Sequence, residues 1–256
     1  MLKNSKKVIY FVILTYVITL LFFIVLQVIG GKSNRITANL IGIPMIFPFI
    51  SVIIVQKFIF RQKLKSSLNI SFKPNFWFLF SILIPMVMAL FINLINILKF
   101  NITIFSQRTF IINVIIGLSI ATVSAIPEEV AWRGFLFNEL KPLGLLKSSL
   151  LIGAIWALWH IPVTIWYKYP NSPISGAVIN FIQMFVLSII ITYIRDKSKS
   201  IFATSIIHGM FNTMILSSNM DDFKVVLIKI LVGILVITIL LIYDSYKKNT
   251  HLKQTN

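Results

Sequence analysis

Apolar runs of about 20 residues recur along the whole chain and are separated only by short loops. A helix of about this length crosses the hydrocarbon core of a bilayer. The pattern predicts an all-α, polytopic membrane protein with its active site in a cavity within the helix bundle. We expect residues 1–256 to form a single integral-membrane domain. The eight predicted transmembrane segments are 8–30, 38–59, 76–98, 109–127, 149–167, 174–194, 200–217 and 224–243.

The charge distribution supports a membrane protein and orients it. Charged residues make up 12% of the chain, against about a quarter in soluble domains. The net charge of +17 comes from clusters between the apolar runs, without a basic face or an RNA-binding motif. We therefore expect the lipid bilayer as a partner, and no nucleic acid. Of the 24 basic residues, 17 fall on the side of both termini, so the positive-inside rule places the N- and C-termini of this multi-pass cell-membrane protein in the cytoplasm.

Few ionisable groups lie inside the predicted spans, where each costs about 2.5–3.5 kcal/mol on insertion. Because the chain has no cysteine, thiol chemistry is excluded. The candidates are Glu128, Glu129 and Arg133 at the end of the fourth segment, His160 in the fifth, and His208 with Asn212 in the seventh. At 1.5 Å per residue, Glu128 and His160 lie about 18 Å, and His208 about 12 Å, from the cytoplasmic ends of their helices. We expect these three groups to converge in one cavity that opens to the cytoplasm.

Spacing suggests different tasks for the two adjacent glutamates. Glu129 and Arg133 are four residues apart and can pair along one helix face. Glu128 projects about 100° away from Glu129, which leaves it free to face a cavity as a general base. His208 and Asn212 are also four residues apart. An imidazole and an amide on one face are suited to stabilising a developing oxyanion.

Three ordered motifs lie on three separate spans: EEVAWR at 128–133, WALWH at 156–160 and HGMFN at 208–212. In order and spacing they resemble the EExxxR, aromatic-xxx-His and HxxxN motifs of the CPBP intramembrane proteases. This group is also called the CAAX-protease and bacteriocin-processing (Abi) family, and it is related to the Rce-type prenyl-protein endopeptidases. One such motif is a weak signal, whereas three in order are specific. Trp156 stands where the family usually has phenylalanine.

The resemblance implies a protease core over residues 109–217, which hydrolyses peptide bonds of membrane-associated peptides or proteins with water and without an acyl-enzyme. By analogy with the family, Glu128 and His160 activate the water. His208 and Asn212 stabilise the oxyanion, and Glu129 and Arg133 support the geometry of the site. No cofactor is implied. Since loss of one oxyanion donor costs about 10²–10³ in rate, Asn212→Ala should impair turnover more than folding.

Other interpretations of the same residues are a zinc site and a role without catalysis. Zinc is disfavoured because the chain lacks HExxH and its candidate ligands can form a base and an oxyanion pocket. A bacteriocin-immunity factor or a regulator of a sensor kinase would act by binding, and would survive replacement of Glu128 and His160. A proton-coupled transporter is less favoured because no inverted repeat is apparent. The motifs select neither an oligomeric state nor one substrate among prenylated CAAX proteins, bacteriocin leaders and pheromone precursors.

Several further residues near the motifs have structural interpretations. We expect Pro127 and Pro162 to bend their helices beside the site, because proline removes a backbone hydrogen bond. The tryptophans near the motifs are interpreted as packing residues or interface anchors. These tryptophans are Trp132, Trp156, Trp159 and Trp166.

Overall fold

The computed structural model describes residues 5–64, 74–217 and 222–254, which form a helix bundle without a strand. Each predicted segment coincides with one apolar helical segment, and this confirms the all-α, polytopic class. Numbered in chain order, the segments are α1 Ser5–Val28, α2 Arg35–Ile59, α3 Phe76–Phe100, α4 Gln107–Leu143, α5 Leu145–Trp159 with Ile161–Lys168, α6 Pro173–Ser198, α7 Ile201–Leu216 and α8 Phe223–Gln254.

The expected number of about eight transmembrane helices agrees approximately with the described residues. Six of their helices are long and apolar enough to cross a membrane, and α5 is a seventh if its two arms count as one span. The arms meet at 40° next to His160, where Pro162 has no N–H to donate to the carbonyl of Leu158. Helix α7 is only about 24 Å long, against about 30 Å of hydrocarbon. Residues such as Ala203 and Ile207 on α7 are fully buried, so neighbouring helices surround it.

Contacts between helix ends define two opposite ends of the bundle. We call the end that holds the start of α1 the terminal end. There Lys7 donates to Gln62 at 2.6 Å and lies 3.7 Å from Glu139, while Tyr193 donates to Asp244 of α8 at 2.8 Å. The α1–α2 and α5–α6 connections meet at the opposite end, where they share the wall of a cleft lined by residues that include Gln27, Lys32, Trp166 and Pro170.

A close crossing of α4 and α7 brings two of the motifs together. A Cβ atom added to Gly209 would lie 2.5 Å from the backbone nitrogen of Thr122 on α4. A Cβ atom added to Gly117 would lie 2.7 Å from both Met210 Sδ and Thr213 Oγ1 on α7. Small residues allow membrane helices to approach closely. One glycine from each helix therefore lets His208 approach the glutamates of α4.

Candidate active site

Both motif glutamates lie in the interior of α4. Pro127 precedes them without breaking the helix, which runs from Gln107 to Leu143 and contains a π-helical stretch at Val130–Leu136. The expected bend at Pro127 therefore does not divide this span. Glu128 and Glu129 are 2% and 0% exposed, respectively, so neither is a solvated carboxylate at the bundle surface.

Glu129 is the acceptor in a fully buried polar network. Arg133 donates through Nη1 to Glu129 Oε1 at 2.8 Å, which is the pairing expected from their spacing. His208 Nδ1 lies 2.7 Å from the same carboxylate oxygen. The second guanidinium nitrogen of Arg133, Nη2, donates to Ser188 Oγ on α6 at 2.7 Å. The Glu129 carboxylate thus links α4 to α7, and Arg133 extends the network to α6. Because a carboxylate oxygen accepts hydrogen bonds, the proton between His208 and Glu129 lies on His208 Nδ1.

Trp156 contacts members of all three motifs, which its interpretation as a packing residue did not anticipate. Its indole nitrogen Nε1 donates to Glu128 Oε2 at 3.0 Å. Its ring meets the rings of His160 and His208 edge-on, at centroid distances of 4.7 and 5.3 Å. The Cζ atom of Arg133 lies 5.0 Å from the ring centroid of Trp156. Trp156 therefore orients Glu128, a function that phenylalanine at this position could not perform.

His160 stands at the bend of α5, where its backbone and its side chain have separate partners. The ring nitrogen Nδ1 lies 2.7 Å from the carbonyl oxygen of Trp156. A carbonyl oxygen only accepts hydrogen bonds, so Nδ1 carries the proton and the Nε2 atom of the neutral ring carries the lone pair. The hydroxyl of Thr164 donates to the carbonyl of His160 at 2.7 Å and receives a hydrogen bond from Asn180. The residue with the basic nitrogen is therefore anchored on both sides of the bend.

One cavity of about 260 Å³ contains four of the six candidate residues. Its wall includes Glu128, His160, His208 and Asn212, whereas Glu129 and Arg133 are not among the residues that line it. The other lining residues are Thr19, Phe23, Ile41, Gly42, Pro44, Met45, Trp156, Trp159, Val163, Lys168, Met184, Leu216 and Ser217. The arrangement divides the motif residues into a group that faces the cavity and a buried pair behind it.

The cavity lies toward the opposite end of the bundle, and this corrects the expected opening at the end that carries the termini. Its wall contains Ile41 and Gly42 near the start of α2, Lys168 at the end of α5, and Ser217 just after α7. The expected depth was counted from the terminal end of each helix. Measured along α5, His160 is about 22 Å from that end and only about 12 Å from Lys168. Rise along a helix gives depth, and it does not indicate which end is open.

Within residues 5–64, 74–217 and 222–254, no group of three or more His, Cys, Asp or Glu side chains is arranged to hold a metal ion. His208 and Glu129 are within hydrogen-bonding distance of each other, and Glu128 accepts from Trp156. The geometry of the site is that of a hydrogen-bonded network of acids and bases.

Comparisons with known proteins identify the same part of the chain. Residues 110–214 match the model of the family described as type II CAAX prenyl endopeptidase, Rce1-like. The CAAX prenyl protease 2 of Methanococcus maripaludis is 33% identical over 102 residues, a match that covers 37% of this chain and 38% of that protein. The chain therefore matches well under half the length of this relative. All three motifs fall inside residues 110–214, the stretch that is similar to the Rce1-like endopeptidases.

Proposed function

We propose that this chain is an intramembrane endopeptidase that hydrolyses peptide bonds of membrane-associated peptides or proteins. The observation that carries the proposal is the shared cavity, in which a carboxylate, two imidazoles and an amide from three helices meet. This set can provide both a base for water and donors for an oxyanion. The similarity of residues 110–214 to the Rce1-like endopeptidases supports the same class of reaction.

Glu128 and His160 are the proposed bases for the attacking water. Trp156 donates a hydrogen bond to Glu128 Oε2, whereas Glu128 Oε1 makes no hydrogen bond within the described part of the chain. Oε1 and the Nε2 lone pair of His160 can both accept from one water molecule. The water oxygen attacks the carbonyl carbon, its proton passes to the base, and that proton then protonates the leaving amine as the C–N bond breaks.

His208 and Asn212 are the proposed donors to the oxyanion. Asn212 is half-buried in the cavity wall and has an amide N–H₂ group to offer. Because Nδ1 of His208 donates to Glu129, Nε2 can donate only when both ring nitrogens carry protons. In that state the Glu129 carboxylate compensates the charge of the ring, while Arg133 and Ser188 fix the position of the carboxylate. This is the supporting role proposed for Glu129 and Arg133.

Hydrolysis without a metal is part of the proposal. The donor set supports this part of the proposal, because no three His, Asp or Glu side chains in the described part of the chain are arranged to hold a metal ion. The proposed bases activate water through proton acceptance alone.

The charge distribution supports a proposed orientation with both termini in the cytoplasm. Among the basic residues whose burial the structure describes, Lys7, Arg133 and Arg195 on the terminal side are buried, as is Lys229 on the other side. These four cannot contribute to a loop charge. The remaining ratio of 14 to six still favours the terminal end as the cytoplasmic one.

A comparison of peptide pools in cells tests the proposed activity. Membrane and secreted peptides from cells that carry the wild type, Glu128→Gln or Glu139→Gln should be identified by mass spectrometry. Glu139 lies on the same helix but outside the cavity, where it is 3.7 Å from Lys7, so Glu139→Gln is the matched control. We expect uncleaved precursors to accumulate only with Glu128→Gln. Identical pools in all three strains would contradict the activity, as would accumulation with both variants.

A further inference from the structure

Lys168 belongs to the walls of two neighbouring spaces. It lines the catalytic cavity, and it also lines a polar cleft of about 260 Å³, which we call the outer cleft. The outer cleft is lined by Lys32, Lys168, Tyr169, Pro170, Asn171 and Ser172. The cavity and the outer cleft therefore meet at the Lys168 side chain, and a substrate chain that runs from one to the other passes this ammonium group.

The backbone that carries Lys168 is held in place by its neighbours. Lys168 ends the second arm of α5, where the N–H of Tyr169 donates to the carbonyl of Thr164 at 2.8 Å. Tyr169 is buried, and its ring stacks on that of Phe223 at a centroid distance of 6.0 Å. Along α5, Lys168 lies about 12 Å from His160. An extended chain advances about 3.3 Å per residue, so a substrate residue at Lys168 lies within about four residues of a scissile bond at His160.

Within the three described stretches of the chain, the half-buried Lys168 side chain makes no hydrogen bond or ion pair, and neither does Lys32 in the outer cleft. Among the described residues, Glu128 is the one carboxylate that lines the cavity, and it accepts from Trp156. The other described carboxylates have partners elsewhere, namely Glu129 with Arg133, Glu139 with Lys7, Asp196 with Lys199, Asp222 with the N–H of Lys224, and Asp244 with Lys197. Since removing a charge from water costs free energy unless the charge is paired, Lys168 favours an anionic group supplied by the substrate.

From this placement we propose that Lys168 binds a carboxylate side chain of the substrate, and so selects peptides with an aspartate or glutamate within about four residues of the scissile bond. The inference rests on the proposed activity and adds a feature of its substrates. A side chain is favoured over a chain terminus because the outer cleft continues past Lys168 to the exposed Lys32. The substrate chain therefore has room to continue beyond the bound residue.

Binding of short peptides tests the proposed subsite without catalysis. Acetylated and amidated apolar peptides that differ only in one central glutamate, glutamine or lysine are titrated into the purified full-length protein in detergent, and Kd is measured by fluorescence anisotropy. Every protein carries Glu128→Gln, so that the peptides stay intact. Lys168→Gln and Lys168→Glu are compared with Lys224→Gln, which removes a charge near the outer cleft from a residue that lines neither space.

The expected result is a preference that depends on Lys168. We expect the parent and Lys224→Gln to bind the glutamate peptide about 10- to 100-fold more tightly than the glutamine peptide. Lys168→Gln should bind these two peptides equally, and Lys168→Glu should prefer the lysine peptide. If Lys168→Glu does not fold, Lys168→Gln decides the question alone.

Several results would overturn the inference: no binding of any peptide, equal affinities for the glutamate and glutamine peptides in the parent, or a glutamate preference that persists in Lys168→Gln. A preference lost equally in Lys224→Gln would do the same. A glutamine peptide with a free C-terminus that binds as tightly as the glutamate peptide would assign Lys168 to a chain terminus instead. Because the assay needs no turnover, a wild type that binds the glutamate peptide but cleaves no peptide would contradict the proposed activity and leave the subsite standing.

Discussion

Trp156 shows which contacts of the site are local in sequence and which are not. It precedes His160 by four residues, so a ring contact on one helix face was predictable from spacing. Glu129 and Arg133 are predictable in the same way. The hydrogen bond from Trp156 to Glu128 joins residues 28 apart, and that from Arg133 to Ser188 joins residues 55 apart. Such partners depend on how the helices pack, which helical periodicity does not specify.

The hydrogen bond from Trp156 to Glu128 has a direct test with a matched control. Trp156→Phe keeps an aromatic ring and removes the donor, whereas Trp159→Phe removes a donor whose partner is Thr19. Both rings contact His160 at nearly the same centroid distance, 4.7 and 4.8 Å. A hydrogen bond to a charged group contributes about 1.5–3 kcal/mol, so we expect Trp156→Phe to lower kcat about 10- to 100-fold.

The control separates orientation of Glu128 from general packing. We expect Trp159→Phe to retain kcat within a few-fold of the wild type, with a similar melting temperature for both variants in detergent. Equal losses of kcat in the two variants would contradict a specific role for Trp156. So would a loss for Trp156→Phe that parallels a loss of folded protein.

At the scale of helices, apolar length predicted where each element lies but not how it meets its neighbours. The α5 bend beside His160 follows from Pro162, as expected from the sequence. Pro127, in contrast, lies within a helix that continues to Leu143. The short α7 is tolerated because other helices cover it, and this is a property of the packed bundle and not of its own sequence. The same packing brings His208 to Glu129.

The α4–α7 crossing predicts a specific sensitivity at Gly209. In Gly209→Ala the added methyl would meet the backbone of Thr122 and Ala121 at 2.5–2.7 Å, which a side-chain rotation cannot relieve. Overpacking of this kind costs about 1–3 kcal/mol. We expect the melting temperature in detergent to fall by several degrees and activity to fall with it, as His208 moves from Glu129.

Gly42→Ala is the control for this substitution, since nothing lies within 4 Å of its added Cβ and its φ is negative. It should melt within about one degree of the wild type. A Gly209→Ala protein that melts with the wild type would show that α4 and α7 are not in such close contact.

At the scale of the molecule, the class of fold and four polar residues of the cavity were accessible from the sequence, whereas the direction of the opening was not. Apolar length predicted the helices, and three spaced motifs predicted four of the residues that line the cavity. Closure of the terminal end depends on Phe11 of α1 packing against Trp132 and Phe135 of α4, across more than 100 residues of chain. No local pattern encodes that contact.

The most direct test of the central claim, that Glu128 in this cavity drives peptide-bond hydrolysis without a metal, is cleavage by the purified protein. Wild type, Glu128→Gln and Glu139→Gln, each in detergent with a chelator, are incubated with a proteome-derived peptide library, and new termini are quantified by mass spectrometry. Since a general base contributes about 10²–10⁴ in rate, we predict cleavage by the wild type and Glu139→Gln, and a loss of at least about 100-fold in Glu128→Gln. Cleavage by Glu128→Gln at the wild-type rate, or loss of wild-type cleavage in the chelator, would contradict the claim.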